Sequence, residues 1–223
     1  GSILALDDAA RALPADETWD AGGRTLTPGF NDAHSHTVWF GQTLLEVDLS
    51  QVATPADVYS ALATAEPNTD GWVIASGFRP SALDAPVTIA ELDRATHGQP
   101  LLIKHNSGHA YTVNTAALRA AGIDPANPPE VEGGEFVRDE DGNCTGLVDE
   151  NAMRAIQSVT LPESGEEIAQ ALELATQRYL ERGLTSVTDA GVAGGWIGHS
   201  PREIAAYQQA TLHTRMQIMV TMD

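Results

Sequence analysis

Cysteine is almost absent from this 223-residue chain, which contains one, Cys144. A single cysteine forms no intramolecular disulfide and cannot supply the several thiolates of a cysteine-based zinc cluster. Any metal site must therefore use histidine and carboxylate ligands. We expect no nucleophilic role for Cys144, because it lies in a predicted hairpin turn with no candidate base beside it.

Basic residues are also scarce, with 12 Lys and Arg against 31 Asp and Glu, which gives a net charge of −19 at pH 7. This charge repels nucleic acid and anionic membranes, so we expect neither as a partner. No apolar run approaches the roughly 18 residues that a membrane span requires. The N-terminal segment lacks the basic residues that begin a signal peptide, and we expect a cytoplasmic location.

Hydrophobic residues make up 42% of the chain and charged residues 19%, which is typical of a globular protein. Short apolar segments at 3–6 and 25–27 predict strands, and residues 133–148 predict a β-hairpin that turns at Asp141-Gly142. From residue 164 onward strands and helices alternate, which indicates βαβ units and a parallel sheet. Further patterns predict helices over 54–65, 89–95, 115–121, 164–182 and 201–210, and strands over 72–75, 101–105, 184–188 and 215–221.

The strongest chemical pattern is TPGFNDAHSH, at residues 27–36. His34 and His36 are two residues apart, so on a strand both imidazoles face the same way, with α-carbons about 7 Å apart. Two neutral imidazoles in that arrangement suit Zn²⁺ or a similar ion. Asp32 would lie on the same face, and would either support the site or lie deeper in the fold. The alternative is two surface or core histidines that alternate by chance, because an isolated His-x-His is a common pattern.

This segment resembles the end of the first barrel strand in the amidohydrolase superfamily, which reads Pro-Gly-Phe-x-Asp-x-His-x-His. Three more segments follow in the order typical of amidohydrolase family 3, which includes N-substituted formamide deformylase-like metal-dependent hydrolases. They are LLIKHNSGHAYTVNTAALRAAGI, GGEFVRDEDGNCTGLVDENAM and GLTSVTDAG. The resemblance covers nearly the whole chain, and it identifies the family more sharply than any substrate.

The resemblance implies an α/β fold, namely a partial (β/α)₈ TIM barrel with a small N-terminal β-sandwich piece and a large insertion over the barrel mouth. Residues 1–27 would belong to the sandwich and residues 28–223 to the N-terminal part of the catalytic barrel, with the insertion at about 40–160. A complete barrel takes about 250 residues. We therefore expect this chain to be the N-terminal portion of a longer enzyme.

The resemblance also implies the cofactor, one or two divalent metal ions, with zinc the expected metal. His34 and His36 would be ligands. The family's other metal residues are a lysine, two more histidines and a late aspartate, and Lys104, His199 and His213 do not match them in position. The chain would therefore hold half of a metal site.

Five further residues are candidates for the same site. His109, Asn114 and Arg79 lie in segments that the resemblance associates with substrate. Asp189 ends a predicted strand and Glu150 follows one, so that each would act on substrate or support a metal-bound imidazole. Structural alternatives stay open: His109 bonding loop backbone, Asp189 capping a turn, and Glu150 in the first turn of a helix.

Together these features predict a metal-dependent hydrolase of small-molecule amides or formamides, cleaving non-peptide carbon–nitrogen bonds with metal-activated water. Barrels of this family are often dimers, so a homodimer is one expected assembly. The competing hypothesis is a catalytically incomplete fragment or a non-catalytic binding module, because the second half of the metal site is absent from the chain.

Overall fold

The computed structural model describes residues 3–160, 164–194 and 201–221. In those ranges helices flank two β-sheets, so the fold is α/β as the sequence predicts. The strands are β1 (Phe30–Ser35), β2 (Val47–Asp48), β3 (Val73–Phe78), β4 (Leu101–His105), β5 (Ala110–Val113), β6 (Gly134–Arg138), β7 (Cys144–Glu150), β8 (Leu184–Val192) and β9 (Arg215–Val220). The helices are α1 (Asp7–Arg11), α2 (Thr37–Thr43), α3 (Pro55–Ala63), α4 (Ile89–Ala95), α5 (Thr115–Ala120), α6 (Met153–Thr160), α7 (Gly165–Glu181) and α8 (Arg202–Gln209), with a 3₁₀ turn at Pro80–Ala82.

The first sheet contains three parallel strands in the order β1-β8-β9. Helix α7 precedes β8, and α8 connects β8 to β9. The 17-residue helix α7 begins with a capping box, in which Ser164 and Glu167 each accept the other's backbone N–H. Its buried stripe, which includes Ile168 and Leu172, packs with Val38 of α2 and with α8. These strands form the alternating βα unit that the sequence predicts.

The second sheet has six strands in the order β2-β3-β4-β5-β7-β6 and lies between α2 and α7 in the chain. Its β2, β3 and β4 are parallel, and its β5, β7 and β6 are antiparallel. One cluster buries residues of α3 and α4, including Val58 and Leu92, against this sheet. A second cluster buries Leu118 of α5 and Ile156 of α6. Both faces of the sheet are therefore partly covered by helices.

Residues 3–29 contain α1 and no strand, so the strands expected at 3–6 and 25–27 are wrong. The β-sandwich piece expected for residues 1–27 is therefore not seen in the part of this segment that the structure describes. Leu4 is 87% exposed and Leu26 is 94% exposed. A strand is stable only when a neighbouring strand takes its backbone hydrogen bonds, and no described strand pairs with this segment.

The structure differs from the sequence expectations at several other points. Strand β8 runs on to Val192, beyond the end expected at residue 188, and its Ala190 and Val192 pair with β9. Helices α2 and α6 and strand β5 were not predicted. The three described strands of the first sheet do not close into a barrel. In the described ranges, no helix has the length and apolar character needed to cross a bilayer.

The close approach of α2 to α7 fixes the chain immediately after His36. Gly41 is buried on α2, and a Cβ atom built on it would lie 2.0 Å from the backbone oxygen of Ala171 on α7. Backbone atoms cannot rotate away as a side chain can, so only glycine permits this contact.

We predict that Gly41→Ala destabilises the protein by about 1–3 kcal/mol, because the added methyl group forces the two helices apart. Urea unfolding measures the change. Gly165→Ala is the matched control, because a Cβ there meets nothing within 4 Å. Equal free energies of unfolding for the two variants would show that the helices do not pack this closely.

Candidate metal centre

Two imidazoles lie together at the end of β1. The ring centroids of His34 and His36 are 5.3 Å apart, and the rings are nearly perpendicular. His34 is exposed and His36 is half-buried at the start of α2. The period-two geometry of the strand therefore places both rings on one side, as the spacing predicts.

One hydrogen bond sets the orientation of the His36 ring. Its Nδ1 lies 2.9 Å from the carbonyl oxygen of Ala190 on β8. A carbonyl only accepts, so Nδ1 carries the proton and Nε2 keeps its lone pair. A backbone carbonyl behind an imidazole is a common way to present the other nitrogen to a metal ion.

Asp32 supports the backbone of this strand end. Its Oδ1 accepts a hydrogen bond from the His34 N–H at 3.0 Å. The carboxylate thus helps to hold the backbone that carries the two histidines. Among the described residues, no group of three His, Cys, Asp or Glu side chains is arranged to hold a metal ion. The imidazoles of His34 and His36 therefore fit as two ligands of a metal ion whose other ligands are not among the described residues.

Asp189 lies beneath the histidine pair, opposite Ser35 in the register of β1 and β8. It is 3% exposed and accepts hydrogen bonds from the Tyr207 hydroxyl and from Thr37. Burial raises its pKa above the usual value, although these hydrogen bonds oppose the shift. The orienting group for His36 is therefore the neighbouring backbone carbonyl, whereas Asp189 fixes α8 and the start of α2.

Sequence reasoning missed the polar residues that complete this layer. The Ser35 hydroxyl lies 2.9 Å from the Tyr179 hydroxyl and 3.0 Å from that of Thr37. Glu203 on α8, 2% exposed, accepts the Ala193 N–H at 2.6 Å. The position of Ser35 between the two histidines was the available indication, because alternation points it to the opposite, inner face.

Two of the expected site residues form a pair on the second sheet. His109 Nδ1 lies 3.1 Å from Glu150 Oε1, and the side chains are 57% and 56% exposed. Glu150 ends β7 with φ +44°, so it is not in the first turn of a helix. A Cβ on Gly108 would lie 3.4 Å from the Trp39 ring, whose centroid is 6.4 Å from that of His36. The loop that carries His109 therefore packs on the residue next to the histidine pair.

The structure gives Asn114 a structural role instead of the expected substrate contact. Its side chain is fully buried at the N-cap of α5. The amide oxygen accepts from the backbone N–H groups of Leu101 and Ala117, each at 3.0 Å. The amide nitrogen donates to Thr96 Oγ1 at 3.0 Å and to the Gln99 carbonyl at 2.8 Å. Protein groups use its whole hydrogen-bonding capacity.

The last expected substrate contact, Arg79, and two further histidines lie on other segments of the chain. Arg79 is exposed between β3 and the 3₁₀ turn. His105 is buried and its Nε2 lies 2.7 Å from Thr112 Oγ1. His213 lies 3.8 Å from Glu173 near the start of β9. His199 falls outside the described residues.

Comparison with known proteins matches residues 17–222 to the amidohydrolase family. YtcJ of Bacillus subtilis, described as an amidohydrolase, is 34% identical over 77% of this chain and 33% of its own length. The N-substituted formamide deformylase of Arthrobacter pascens is 33% identical over 81% of this chain and 35% of its own length. The chain thus spans about a third of these curated relatives.

The fold is similar to that of a solved metal-dependent hydrolase from Pyrococcus furiosus, with a TM-score of 0.61. The match covers 86% of this chain and 37% of that chain at 18% sequence identity. A corresponding hydrolase from Pyrococcus horikoshii gives a TM-score of 0.63. At this level of identity the comparison concerns the fold alone.

We predict that Asn114→Ala lowers the free energy of unfolding by about 2–4 kcal/mol, because buried N–H and carbonyl groups lose their partners. Thr88→Ala is the control, since Thr88 caps α4 through a single bond to Glu91. We expect about 1 kcal/mol for that control in urea unfolding. A loss at Asn114 no larger than at Thr88 would contradict the structural role.

We also predict a pH dependence that originates at His105. Burial lowers its pKa from 6.5 to about 4, so the folded protein holds this ring neutral. The contribution of the buried neutral ring to the free energy of unfolding is fully present above pH 6.5. It is lost as the pH falls from 6.5 through about 4, because in that range the unfolded chain binds a proton that the folded protein does not. Urea unfolding of His105→Gln should show a shallower loss of stability in this window. His97→Gln, which replaces an exposed imidazole, is the control, and parallel profiles for His105→Gln and the wild type would overturn the assignment.

Proposed function

Because this chain belongs to the amidohydrolase family, we propose that it supplies His34 and His36 as two metal ligands of a hydrolase. The bond cleaved would be a non-peptide carbon–nitrogen bond, as in amides and formamides. The observation that carries the proposal is the adjacent pair of rings, one of them held by the Ala190 carbonyl with Nε2 available.

Zinc is the metal proposed, because two neutral imidazoles and no thiolate suit a borderline cation that also accepts carboxylate and water ligands. A bound divalent ion polarises a carbonyl and lowers the pKa of water. The chain's own residues supply the orientation. The Ala190 carbonyl fixes the His36 tautomer, and Asp32 holds the His34 backbone.

We further propose that β1, β8 and β9 belong to a (β/α)₈ barrel, with the remaining ligands on other strands. Both histidines lie at the carboxyl end of β1, next to the carboxyl-terminal part of the parallel strand β8. In such barrels the active site lies at the carboxyl ends of the strands. His109, on the loop that packs against Trp39, and its partner Glu150, at the end of β7, would then contact substrate.

The carbon–nitrogen bond is supported by the relative named for deformylation of N-substituted formamides. A second candidate function, a non-catalytic binding module, is favoured by a separate observation. Within the described ranges, no third His, Cys, Asp or Glu side chain joins the pair. The two candidates differ in turnover and not in metal binding by the histidines.

We predict that His34→Ala and His36→Ala each lower the affinity for zinc at least tenfold, because each removes one ligand of the metal ion. The zinc content of the dialysed protein should fall accordingly. Mass spectrometry of the dialysed protein measures the metal. His97→Ala is the control, since His97 is exposed beyond the end of α4. Unchanged metal content in both site variants would end the metal assignment.

Hydrolysis is tested with simple amides and N-substituted formamides, with and without a chelator. We expect amine release that the chelator abolishes and that the two histidine variants lack. Turnover that survives the chelator contradicts the proposed chemistry. Metal binding without turnover of any of these compounds supports the binding module instead.

A further inference from the structure

A cavity of about 410 Å³ lies between helices α2 and α7 and one face of the six-stranded sheet. Trp39 of α2 forms one wall, and Trp72, Ile74, Leu102 and Tyr111 form the wall on the sheet. Such a volume holds a small organic molecule, and aromatic walls with a few polar groups are typical of ligand sites. Neither the proposed metal chemistry nor the family comparison assigns it an occupant.

A largely buried ion pair forms part of the lining of this cavity. The Nζ of Lys104 on β4 lies 2.6 Å from Oε1 of Glu46, and the two side chains are 17% and 8% exposed. Both residues line the cavity. In the part of the chain that the structure describes, Glu46 Oε2 is buried without a hydrogen-bond partner. A buried carboxylate oxygen that lacks a donor costs free energy, and a ligand N–H group would remove that cost.

Beyond the ion pair, the residues of the lining that carry a charge near pH 7 are all acidic. Glu66, Asp70 and Glu167 line the cavity, with Glu66 and Asp70 exposed to solvent. His105 also lines it but stays neutral near pH 7, because burial lowers its pKa to about 4. With four carboxylates and one lysine in its lining, the cavity attracts cations and repels anions.

We propose that this cavity binds an organic ammonium ion, with the ammonium group on the Glu46 carboxylate and an aromatic or apolar body against Trp39 and Trp72. The terminal torsion of a glutamate side chain is soft, so the carboxylate turns its unpartnered oxygen toward the ligand at little cost. The ligand would share Glu46 with Lys104. The carboxylates of the lining offset the repulsion between the two cations.

The aromatic walls favour the same class of ligand. The faces of Trp and Tyr rings attract cations as well as apolar groups. The Trp39 ring is also 6.4 Å from the His36 ring, so the occupant would lie one side chain away from the histidine pair. Binding of the ammonium ion is separate from the proposed hydrolysis, because it requires neither metal nor turnover.

Isothermal titration calorimetry tests the proposal, with a chelator present so that an amine cannot bind through a metal ion. The probes are 2-phenylethylamine, the neutral 2-phenylethanol and the anionic 3-phenylpropanoate. We expect the amine to bind at least about tenfold more tightly than the carboxylate, with the alcohol between them. Equal affinities for the amine and the carboxylate would overturn the proposal and identify a merely apolar cavity.

Variants locate the site. Glu46→Gln should weaken 2-phenylethylamine binding about tenfold, because it removes the buried charge that accepts the ammonium. Glu91→Gln is the matched control, since Glu91 pairs with Arg94 on α4 and does not line the cavity. Equal effects of the two variants would show that general surface charge accounts for the binding, and would overturn the assignment.

Asp70→Asn keeps the test decisive if Glu46→Gln fails to fold, because Asp70 is exposed on a loop. We expect a two- to threefold loss of amine affinity from this change, as for a partly screened charge. An affinity unchanged from that of the wild type would count against the cavity as the site.

Discussion

The hydrogen bond from His36 Nδ1 to the Ala190 carbonyl connects the chemistry of this chain to its fold. It joins the end of β1 to β8, strands that are separated by the whole six-stranded sheet in sequence. The bond forms only if the register that places Ser35 opposite Asp189 is maintained. A shift of one residue would turn the imidazole to the other face, so the register of two parallel strands determines whether the rings meet.

That register rests on a buried polar layer. Asp189 bonds with Thr37 and Tyr207, and so ties the start of α2 to α8. Ser35 bonds with Tyr179 of α7. Such a network is costly when one member is missing and specifies one arrangement when all are present. The two histidines that we propose as metal ligands are thus held in place by residues that would not contact the metal themselves.

Local sequence patterns predicted what depends on neighbours in the chain. The helices that begin after Thr54 and Ser164 and the shared side of His34 and His36 follow from spacing alone. Contacts between distant residues could not be read in this way, as with Glu46 and Lys104, which lie 58 positions apart. The strands expected before residue 28 failed for a related reason, because strand formation depends on a partner that local composition does not reveal.

Asn114 shows how a resemblance can direct attention away from a simpler cause. An Asn directly before a helical segment is a frequent N-cap, and the structure uses it so.

The contact of Gly41 with Ala171 also has a consequence for the space around Trp39. Helix α2 meets the much longer helix α7 at Gly41, so one packing contact positions both His36, at the start of α2, and Trp39. The same contact therefore helps to set the distance between the histidine pair and the cavity that Trp39 lines. A ligand in the cavity would meet Trp39 first, and its own length would determine whether it reaches His34 and His36.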